Sequence, residues 1–504
     1  MIHRLLHAAI ESGIFSSRSH LSAFQARLEP FDGILEQSLV VSDTGLFLYS
    51  EHGGVPALVV LTEFERTLDG YRGEHVSEYE AGVTYYAMKC PLAHENAVSL
   101  RRNAPSTAPS VLYGPRSFGF GDRIGRPAAA TPWHIEAVRG KAIAPVLAQQ
   151  SVRENSKTGR TFETVLDDVT WSVLRCGYED DWGADADHLK TLDDIERAVN
   201  AGFTMFTLDP SDLIDHGADT DPAETLAVKL ARHFAGERDM ESFISRYERT
   251  HKASRLDITR SAVKYLAATQ HAIEAYRRIA ELKAGLSFNF EMSIDETTTP
   301  TSLLDHRIIA TELLDADVNL YSLAPRFVGS FEKGVDYRGN VGEFTRTLGE
   351  HVALSRTLGE YRLSLHSGSD KFKVYPIFGE LTDGFFHVKT AGTSYLEAVK
   401  AVALTDYTLF GRIYGLSRET FEKNAASYEI SADISRVPLL NEVDESTIRE
   451  LIATNDDVRQ MLHIAFGVVL DEYGREFMSV LSSHAETYKN TVVSHIEKHL
   501  DLLL

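Results

Sequence analysis

The chain has 504 residues, of which 43% are hydrophobic and 25% charged, and its formal net charge is −22. This composition is typical of a folded globular protein with a sizeable core. The negative charge argues against nucleic acid and anionic membranes as partners, because both select a basic surface. No stretch approaches the ~18 apolar residues of a membrane span, and no signal-peptide pattern opens the chain. With only Cys90 and Cys176, a disulfide framework and a thiolate zinc site are disfavoured, so we expect a cytoplasmic protein.

The two ends of the chain differ from its middle. Residues 1–110 contain short apolar and β-branched runs at 46–49, 57–61 and 83–88, and we predict a mixed α/β cap there. Residues 406–504 show helical periodicity, which predicts a helical extension whose helices are candidates for a homo-oligomer contact. The catalytic domain is then expected to span residues 111–405.

Strands and helices alternate through this middle part, which predicts βα units and a parallel sheet. Eight candidate strands lie at 117–124, 142–149, 182–190, 203–209, 287–295, 319–326, 362–369 and 385–390. Eight such units in about 300 residues are typical of a TIM-type (β/α)8 barrel. A doubly wound open sheet is the alternative, because two helices rather than one are predicted before the fifth strand. Neither a Gly-x-Gly-x-x-Gly turn nor a Walker pattern is present, so no nucleotide site is supported.

The stretch at 183–191, Gly-Ala-Asp-Ala-Asp-His-Leu-Lys-Thr, predicts a strand that ends in chemically active side chains. A helix follows directly, with Thr191 as its cap and Gly202 as its stop. Asp187 and His188 stand together at the junction. Such a pair suits a metal site, where the imidazole holds a divalent ion and the carboxylate moves a proton. The alternative is a capped helix preceded by a solvated carboxylate.

Further polar side chains fall at the carboxyl ends of the predicted strands, where a barrel places its catalytic groups. His366 and His387 can join His188 on one divalent ion such as zinc, manganese, nickel or cobalt. His387 stands earlier in its strand, so a core histidine bonded to a neighbour is the alternative for it. Glu291 interrupts an apolar strand, where a carboxylate is costly unless it is paired, and is a candidate acid or base. Its alternative is a structural ion pair.

The strand ends also offer groups that can bind an acidic substrate. The candidates are Lys190, Arg326, Lys371, Lys389, Asp122 and Gln149. Each of the four cations can instead be the ion-pair partner of a nearby acid. Arginine binds carboxylates in a bidentate manner, and lysine binds them as a point charge. We expect Lys371 or Arg326 to bind the carboxylate of a sugar acid.

Four stretches at 183–190, 290–297, 365–372 and 387–393 resemble the tagaturonate epimerase family, in the same order along the chain. The likeness runs from about residue 110 to 475. It implies a metal-dependent interconversion of D-tagaturonate and D-fructuronate in hexuronate catabolism. For the site it implies Asp187 as proton acceptor, His188 as metal ligand and Glu291 as proton donor. The assignment of His366 and His387 as the remaining ligands depends chiefly on their positions at strand ends.

The chemistry of this reaction narrows the mechanism. The two sugars differ at the hydroxyl-bearing carbon one bond beyond the position α to the ketone, so simple enolisation does not acidify that C–H bond. A transient oxidation needs a nicotinamide site, which the sequence does not display. We therefore expect retro-aldol cleavage followed by aldol re-formation. The alternatives are a metal-dependent aldolase or ketose isomerase acting on a related sugar acid, and, from another class, a non-catalytic sugar-binding barrel.

Overall fold

The structure, a computed structural model, describes residues 1–29, 31–251, 253–426 and 428–504. Near the N-terminus, five strands form an antiparallel sheet. They are β1 (Val40–Val41), β2 (Leu46–His52), β3 (Val55–Thr62), β4 (Glu74–Glu80) and β5 (Val83–Pro91), in the spatial order β1-β2-β3-β5-β4. Phe47 and Tyr49 of this sheet share an apolar cluster with Trp171 and Leu174 of the following domain. The sheet therefore packs on the outside of that domain.

Eight parallel strands form a closed barrel. They are β6 (Arg116–Gly121), β7 (Ala144–Ser151), β8 (Gly183–Leu189), β9 (Met205–Leu208), β10 (Asn289–Ile294), β11 (Ser322–Pro325), β12 (Arg362–Leu365) and β13 (Phe386–Thr390). Each pairs with the next strand along the chain, and β13 pairs with β6 to close the ring. All eight predicted strands are present. The predicted TIM-type barrel with an N-terminal mixed cap is confirmed, and closure excludes the open-sheet alternative.

The barrel strands are largely apolar in sequence because they are buried on both faces. Side chains two residues apart point to the same face of a strand. Asp185 and Asp187 on β8 therefore point into the barrel together, as do His387 and Lys389 on β13. Of each pair, the second residue lies nearer the carboxyl end of its strand. This spacing divides the polar residues of the interior into successive layers.

Helices surround the barrel, and the first and last elements of the chain are also helices. They are α1 (Ile2–Ser12), α2 (Leu21–Leu28), α3 (His94–Asn103), α4 (Thr131–Val138), α5 (Val152–Thr158), α6 (Phe162–Cys176), α7 (Leu192–Ala201), α8 (Ala223–Ala231), α9 (Glu237–His251), α10 (Arg255–Leu282), α11 (Leu303–Asp315), α12 (Val341–Leu358), α13 (Tyr375–Leu381), α14 (Thr393–Thr405), α15 (Tyr407–Glu419), α16 (Phe421–Ala425), α17 (Glu445–Thr454), α18 (Asp456–Ile464), α19 (Phe466–Ser483) and α20 (Ala485–Leu503). Among the described residues, none of these helices is both long enough and apolar enough to cross a membrane.

Local sequence explains where several helices begin and end. The hydroxyl of Thr191 accepts the N–H of Asp194, and Asp194 in turn accepts the N–H of Thr191, so α7 starts with a capping box as predicted. Gly202, with φ of 101°, ends α7 in the left-handed region. The prediction of two helices before the fifth barrel strand is wrong, because α8, α9 and α10 all precede β10.

The C-terminal helices return to the barrel. Lys489 on α20 pairs with Glu136 on α4 at 2.8 Å, and the hydroxyl of Thr491 donates to the carbonyl oxygen of Glu397 on α14 at 3.2 Å. The predicted helical character of the segment after residue 405 is thus present, and its last helix lies against the barrel. The domain boundaries at 110 and 405 stay a prediction.

Candidate active site

A cavity of about 350 Å³ opens at the carboxyl ends of the barrel strands, a size that suits a small ligand. We call the strand-end residues that line it the floor: Asp187, His188, Asp295, His366 and Lys389. We call a second set of lining residues, from α5 and from loops, the wall: Arg153, Arg326, Lys333, Tyr428 and Glu429. Within the described part of the chain, no residue of β1 to β5 lines this cavity. The barrel and the segments after it therefore build the site.

The ammonium of Lys389 lies among carboxylates. Its Nζ is 2.6 Å from Asp185 Oδ2, 2.9 Å from Asp187 Oδ1 and 2.8 Å from Glu291 Oε1, and it also donates to the hydroxyl of Thr207. Although burial opposes the charge, these carboxylates raise the pKa of Lys389 well above its ordinary value. Burial raises the pKa of Asp185 to about 6. Three acids therefore share one permanent cation.

Glu291 lies beneath the floor and is fully buried. Its carboxylate accepts from His366 Nε2 at 2.6 Å and from the hydroxyl of Ser322, in addition to Lys389. Although burial favours the neutral acid, Lys389 and His366 hold the pKa of Glu291 well below its usual range. The structure thus places an ionised Glu291 behind Lys389 and His366, outside direct contact with the cavity.

The two imidazoles of the floor face each other, with ring centroids 5.2 Å apart. His188 has φ of 54°, a left-handed conformation that is uncommon for a residue other than glycine and is concentrated at functional sites. Burial opposes protonation of His188, but the neighbouring Asp187 raises the pKa of His188 to about 10. Burial likewise opposes protonation of His366, but Asp295 and Glu291 raise its pKa to about 9. Metal binding releases protons from such ligands, so metal affinity is expected to increase with pH.

The floor contains a donor set that fits a divalent ion. One ligand atom from each of His188, Asp295 and His366 lies within 4.8 Å of the other two. Nδ1 of His188 is engaged by Asp187 at 2.9 Å and Nε2 of His366 by Glu291 at 2.6 Å, so the nitrogens that can bind an ion are His188 Nε2 and His366 Nδ1. His366 Nδ1 already lies 3.3 Å from Asp295 Oδ1, the third member of the set. A carboxylate that fixes the ring of a metal-binding histidine is a frequent arrangement. Two nitrogens and one oxygen suit zinc, manganese, nickel or cobalt.

His387 does not join this group. It lies one layer deeper in the barrel, two residues before Lys389, and its Nδ1 is 2.8 Å from the hydroxyl of Ser117. Burial lowers the pKa of His387 to about 3, so the ring is neutral. Its Nε2 has no hydrogen-bond partner among the described residues. The geometry matches the alternative considered for it, a core histidine bonded to a neighbour, and Asp295 stands where the third ligand was predicted.

The predicted substrate-binding residues separate into two groups. Gln149, Arg326 and Lys389 line the cavity. Gln149 lies over Gly119, where any side chain would collide with its amide, and Gln149 Oε1 is buried without a partner among the described residues. Arg326 lines the wall but is already paired with Glu429 at 3.0 Å.

The other three predicted residues have structural roles outside the cavity. Lys190 is exposed and donates to Ser211 and Asp212 at 3.2 and 3.0 Å. Asp122 accepts three backbone N–H groups of its own loop, from Ile124, Gly125 and Ala130, at 2.8 to 3.2 Å. Lys371 is fully buried, and its Nζ donates to the backbone carbonyl oxygens of Glu332, Val335 and Ser369 at 2.6 to 2.9 Å.

Sequence reasoning missed several residues of the site. Asp185 could have been found, because it stands two residues before Asp187 and therefore points into the barrel with it. Asp295 was visible at a strand end but was not assigned as a ligand. Arg153 lies in the first turn of α5, directly after β7, and this closeness to a strand end could have indicated it. Lys333 lies in a loop with no repeating pattern, and nothing in the sequence distinguishes it from other cations.

Comparisons with known proteins identify the family of this chain. The family model described as tagaturonate epimerase matches residues 35–503. The chain is 40% identical over 429 residues to the tagaturonate/fructuronate epimerase of Thermotoga maritima, covering 84% of this chain and 87% of that protein.

Solved structures give the same result. The glycerol complex of the fructuronate-tagaturonate epimerase from Cohnella laeviribosi matches with a TM-score of 0.85 and 35% identity, over 97% of this chain and 99% of that one. The native crystal structure of the same enzyme also has a TM-score of 0.85, with 36% identity over 96% and 99% of the two chains. The resemblance inferred from the four strand-end stretches is confirmed. This chain is an epimerase and belongs to the tagaturonate epimerase family.

Proposed function

We propose that this chain interconverts D-tagaturonate and D-fructuronate with the help of a divalent metal ion, by breaking and re-forming a carbon–carbon bond. The names of the relatives from Thermotoga maritima and Cohnella laeviribosi support the choice of substrates. The observation that carries the proposal is the floor, where two imidazoles, each fixed by a carboxylate, lie beside Asp295 in a cavity that Asp187 also lines.

In this proposal His188, Asp295 and His366 hold the ion, and His387 has no part in binding it. A divalent ion, when bound there, acts as a Lewis acid that stabilises negative charge on the ketone and neighbouring hydroxyl oxygens of the sugar. Asp187 and Glu291 act behind the ligands by fixing the orientation of the two rings.

Asp187 is the group proposed to move the proton. Although burial favours the neutral acid, His188 and Lys389 hold the pKa of Asp187 well below its usual range, so the carboxylate is ionised. Its Oδ1 is 2.9 Å from both His188 Nδ1 and Lys389 Nζ. Its second oxygen is left for a hydroxyl group of the substrate.

The proposed step conserves atoms and electrons without an oxidant. Asp187 takes the proton from the hydroxyl on the carbon that is inverted. The electron pair of that O–H bond becomes the C=O bond of an aldehyde, and the pair of the broken C–C bond stays on the fragment that carries the ketone. The aldehyde turns to present its other face, the C–C bond re-forms, and Asp187 returns the proton.

Glu291, expected from the sequence to be a proton donor, acts in this proposal through its neighbours. Lys389 Nζ contacts both Glu291 and Asp187, and Lys389 and Asp187 line the cavity whereas Glu291 does not. We propose that Glu291 holds Lys389 and His366 in place, and that the Lys389 ammonium assists the return of the proton to the new hydroxyl group.

The test is a metal-repletion assay. The protein is stripped with a chelator, single divalent metals are added back, and D-tagaturonate and D-fructuronate are followed by NMR. We expect equilibration of the two sugars only with metal, and a loss of at least about 1,000-fold in His188→Ala. His75→Ala, which removes an exposed histidine from β4, is the matched control and should behave as the parent protein.

Three results would contradict parts of the proposal. Full activity in the stripped protein would show that the reaction does not need a metal ion. Loss of the carbon-bound hydrogen to solvent, with no exchange of labelled three-carbon fragments into the substrate, would refute the retro-aldol step. Net release of a three-carbon product would select the aldolase reading instead.

A further inference from the structure

The wall of the cavity contains a cation that the protein itself leaves unpaired. Lys333 lines the cavity, and its Nζ donates to the hydroxyl of Ser367 at 2.9 Å. Among the described residues, no carboxylate lies within ion-pair distance of this ammonium. Burial, followed by the charges of Arg153 and other neighbours, lowers the pKa of Lys333. A partly buried ammonium with no carboxylate within ion-pair distance is costly unless a ligand supplies an anion.

Two other cations of the cavity, Lys389 and Arg326, are already neutralised. Lys389 contacts three carboxylates, and Arg326 is bound to Glu429 through both of its terminal nitrogens, the shortest distance being 3.0 Å. Arg153 has a single contact with Glu296 at 3.3 Å, and its guanidinium lies 5.6 Å from the centre of the Tyr428 ring. Lys333 and Arg153 are therefore the cations best able to accept an anionic group.

The segment that carries Lys333 is held rigidly from behind. Lys371 donates to the carbonyl oxygens at both ends of 332–335, at 2.9 and 2.6 Å. From α18, Arg459 Nε donates to the carbonyl oxygen of Gly334 at 2.8 Å, and Gln460 Nε2 donates to that of Lys333 at 3.2 Å. Lys371, Arg459 and Gln460 are all buried. A binding group fixed in this way loses little freedom when it meets its ligand.

The first turn of α14 lies beside this segment. Ala391 and Gly392 line the cavity, and no side chain caps the helix, so its first N–H groups are free to donate. The imidazole of His463, from α18, lies against both Gly334 and Gly392, where a side chain at Gly392 would collide with it. The hydroxyl of Thr393, buried at the first position of α14, has no partner among the described residues.

We propose that Lys333, together with Arg153 and the first turn of α14, binds the carboxylate of the substrate. This inference depends on the proposed function, which makes the substrate a sugar acid. It replaces Lys371 and Arg326, the two residues that the sequence suggested for this role. Lys371 instead holds the backbone that presents Lys333, and the floor is left to act on the ketone end of the sugar.

The experiment compares an acid with its neutral counterpart. Binding of D-tagaturonate and of D-tagatose, in which a hydroxymethyl group replaces the carboxylate, is measured by calorimetry on the full-length protein. In Lys333→Met we expect D-tagaturonate binding to weaken about 100-fold and D-tagatose binding to change by less than about twofold. Lys333→Arg should recover most of the loss, because it keeps the charge. Lys423→Met, which removes an exposed lysine from α16, is the control for net charge.

Arg153→Gln provides a second test, because this side chain is substantially exposed and its loss should not disturb folding. We expect it to weaken acid binding about tenfold. Equal weakening of both sugars in Lys333→Met, or unchanged acid binding in both variants, would overturn the carboxylate site. Calorimetry does not depend on turnover, so a protein that binds the acid through Lys333 but fails to epimerise it would refute the proposed reaction alone.

Discussion

The floor and the wall of the cavity carry charge in different ways. On the floor, Lys389 is neutralised by three carboxylates that come from the barrel strands themselves. On the wall, the ammonium of Lys333 comes from a loop and forms no ion pair with a carboxylate of the described residues. The charge of Lys389 is therefore balanced by the protein before a substrate enters, so the floor is preorganised for chemistry. The charge of Lys333 on the wall is not balanced in this way, and an anionic ligand would balance it.

The supports of the two regions differ as well. The floor is fixed by β-sheet register, because neighbouring strands place Glu291 beside Thr207 and Ser322. The segment of the wall that carries Lys333 is fixed by side chains of α18, which lie more than a hundred positions later in the sequence. The C-terminal helices therefore contribute to the site, whereas the N-terminal sheet packs on the outer surface of the barrel.

The largest expected effect separates the two lysines. Lys389→Met leaves Asp185, Asp187 and Glu291 buried without their cation, and we expect a loss of about 3–5 kcal/mol in the free energy of unfolding. Lys333→Met removes an ammonium that has no anionic partner, and we expect a change of less than about 1 kcal/mol. Chemical denaturation of the metal-free proteins measures both. Similar losses in the two variants would show that the floor and the wall do not differ in this way.

A smaller effect concerns the metal. Asp295→Ala removes a proposed ligand and should abolish stoichiometric binding of Mn²⁺ or Zn²⁺, measured by calorimetry. Glu291→Gln only releases the ring of His366, and we expect metal affinity to fall about 10- to 100-fold. His387→Gln should leave metal affinity within about threefold of the parent, because the ring lies one layer deeper and bonds to Ser117. A metal affinity that collapsed in His387→Gln and survived in Asp295→Ala would reverse the assignment.

The sequence predicted the barrel because buried parallel strands and amphipathic helices have different periods. It indicated most of the residues that line the floor because a barrel brings strand-end side chains together at one end, as it does for His188 and His366. Among the described residues, Asp295 and not His387 lies beside His188 and His366, and the sequence could not show this for a simple reason. In a strand, a position two residues back points the same way but lies one layer deeper. The sequence therefore could not show whether His387 or Lys389 reaches the cavity without knowing where β13 ends.

Apart from Arg326, which follows a strand end, the wall could not be predicted in the same way. Lys333 lies between β11 and α12, in a segment without periodicity, and its position is set by Lys371, Arg459 and Gln460. These are contacts between distant parts of the chain, which a local pattern does not encode. Lys371 illustrates the same limit, because a lysine after a strand end was taken for a substrate group and proved to bind backbone carbonyl oxygens.

The smallest expected effect concerns the link between α20 and the loop after β12 that also carries Lys371. His495 Nε2 is 2.6 Å from Asp370 Oδ1, and its Nδ1 is 3.5 Å from Glu397 Oε1. Although burial favours the neutral ring, Glu397 and Asp370 raise the pKa of His495 above its ordinary value of 6.5. The folded state then binds this proton more tightly than the unfolded state. The stabilisation is fully present below pH 6.5 and is lost as the pH rises through the folded-state pKa.

His495→Gln should therefore lower the Tm more at pH about 6 than at pH about 9, because only at the lower pH does the parent ring carry its charge in both folded and unfolded states. His484→Gln, which changes an exposed histidine just before α20, is the matched control and should show no such trend. Thermal unfolding across this pH range measures the difference between the variants. An equal loss of Tm at both pH values would mean that His495 stabilises the loop by packing and not by its charge, and the support of the wall would then be independent of pH.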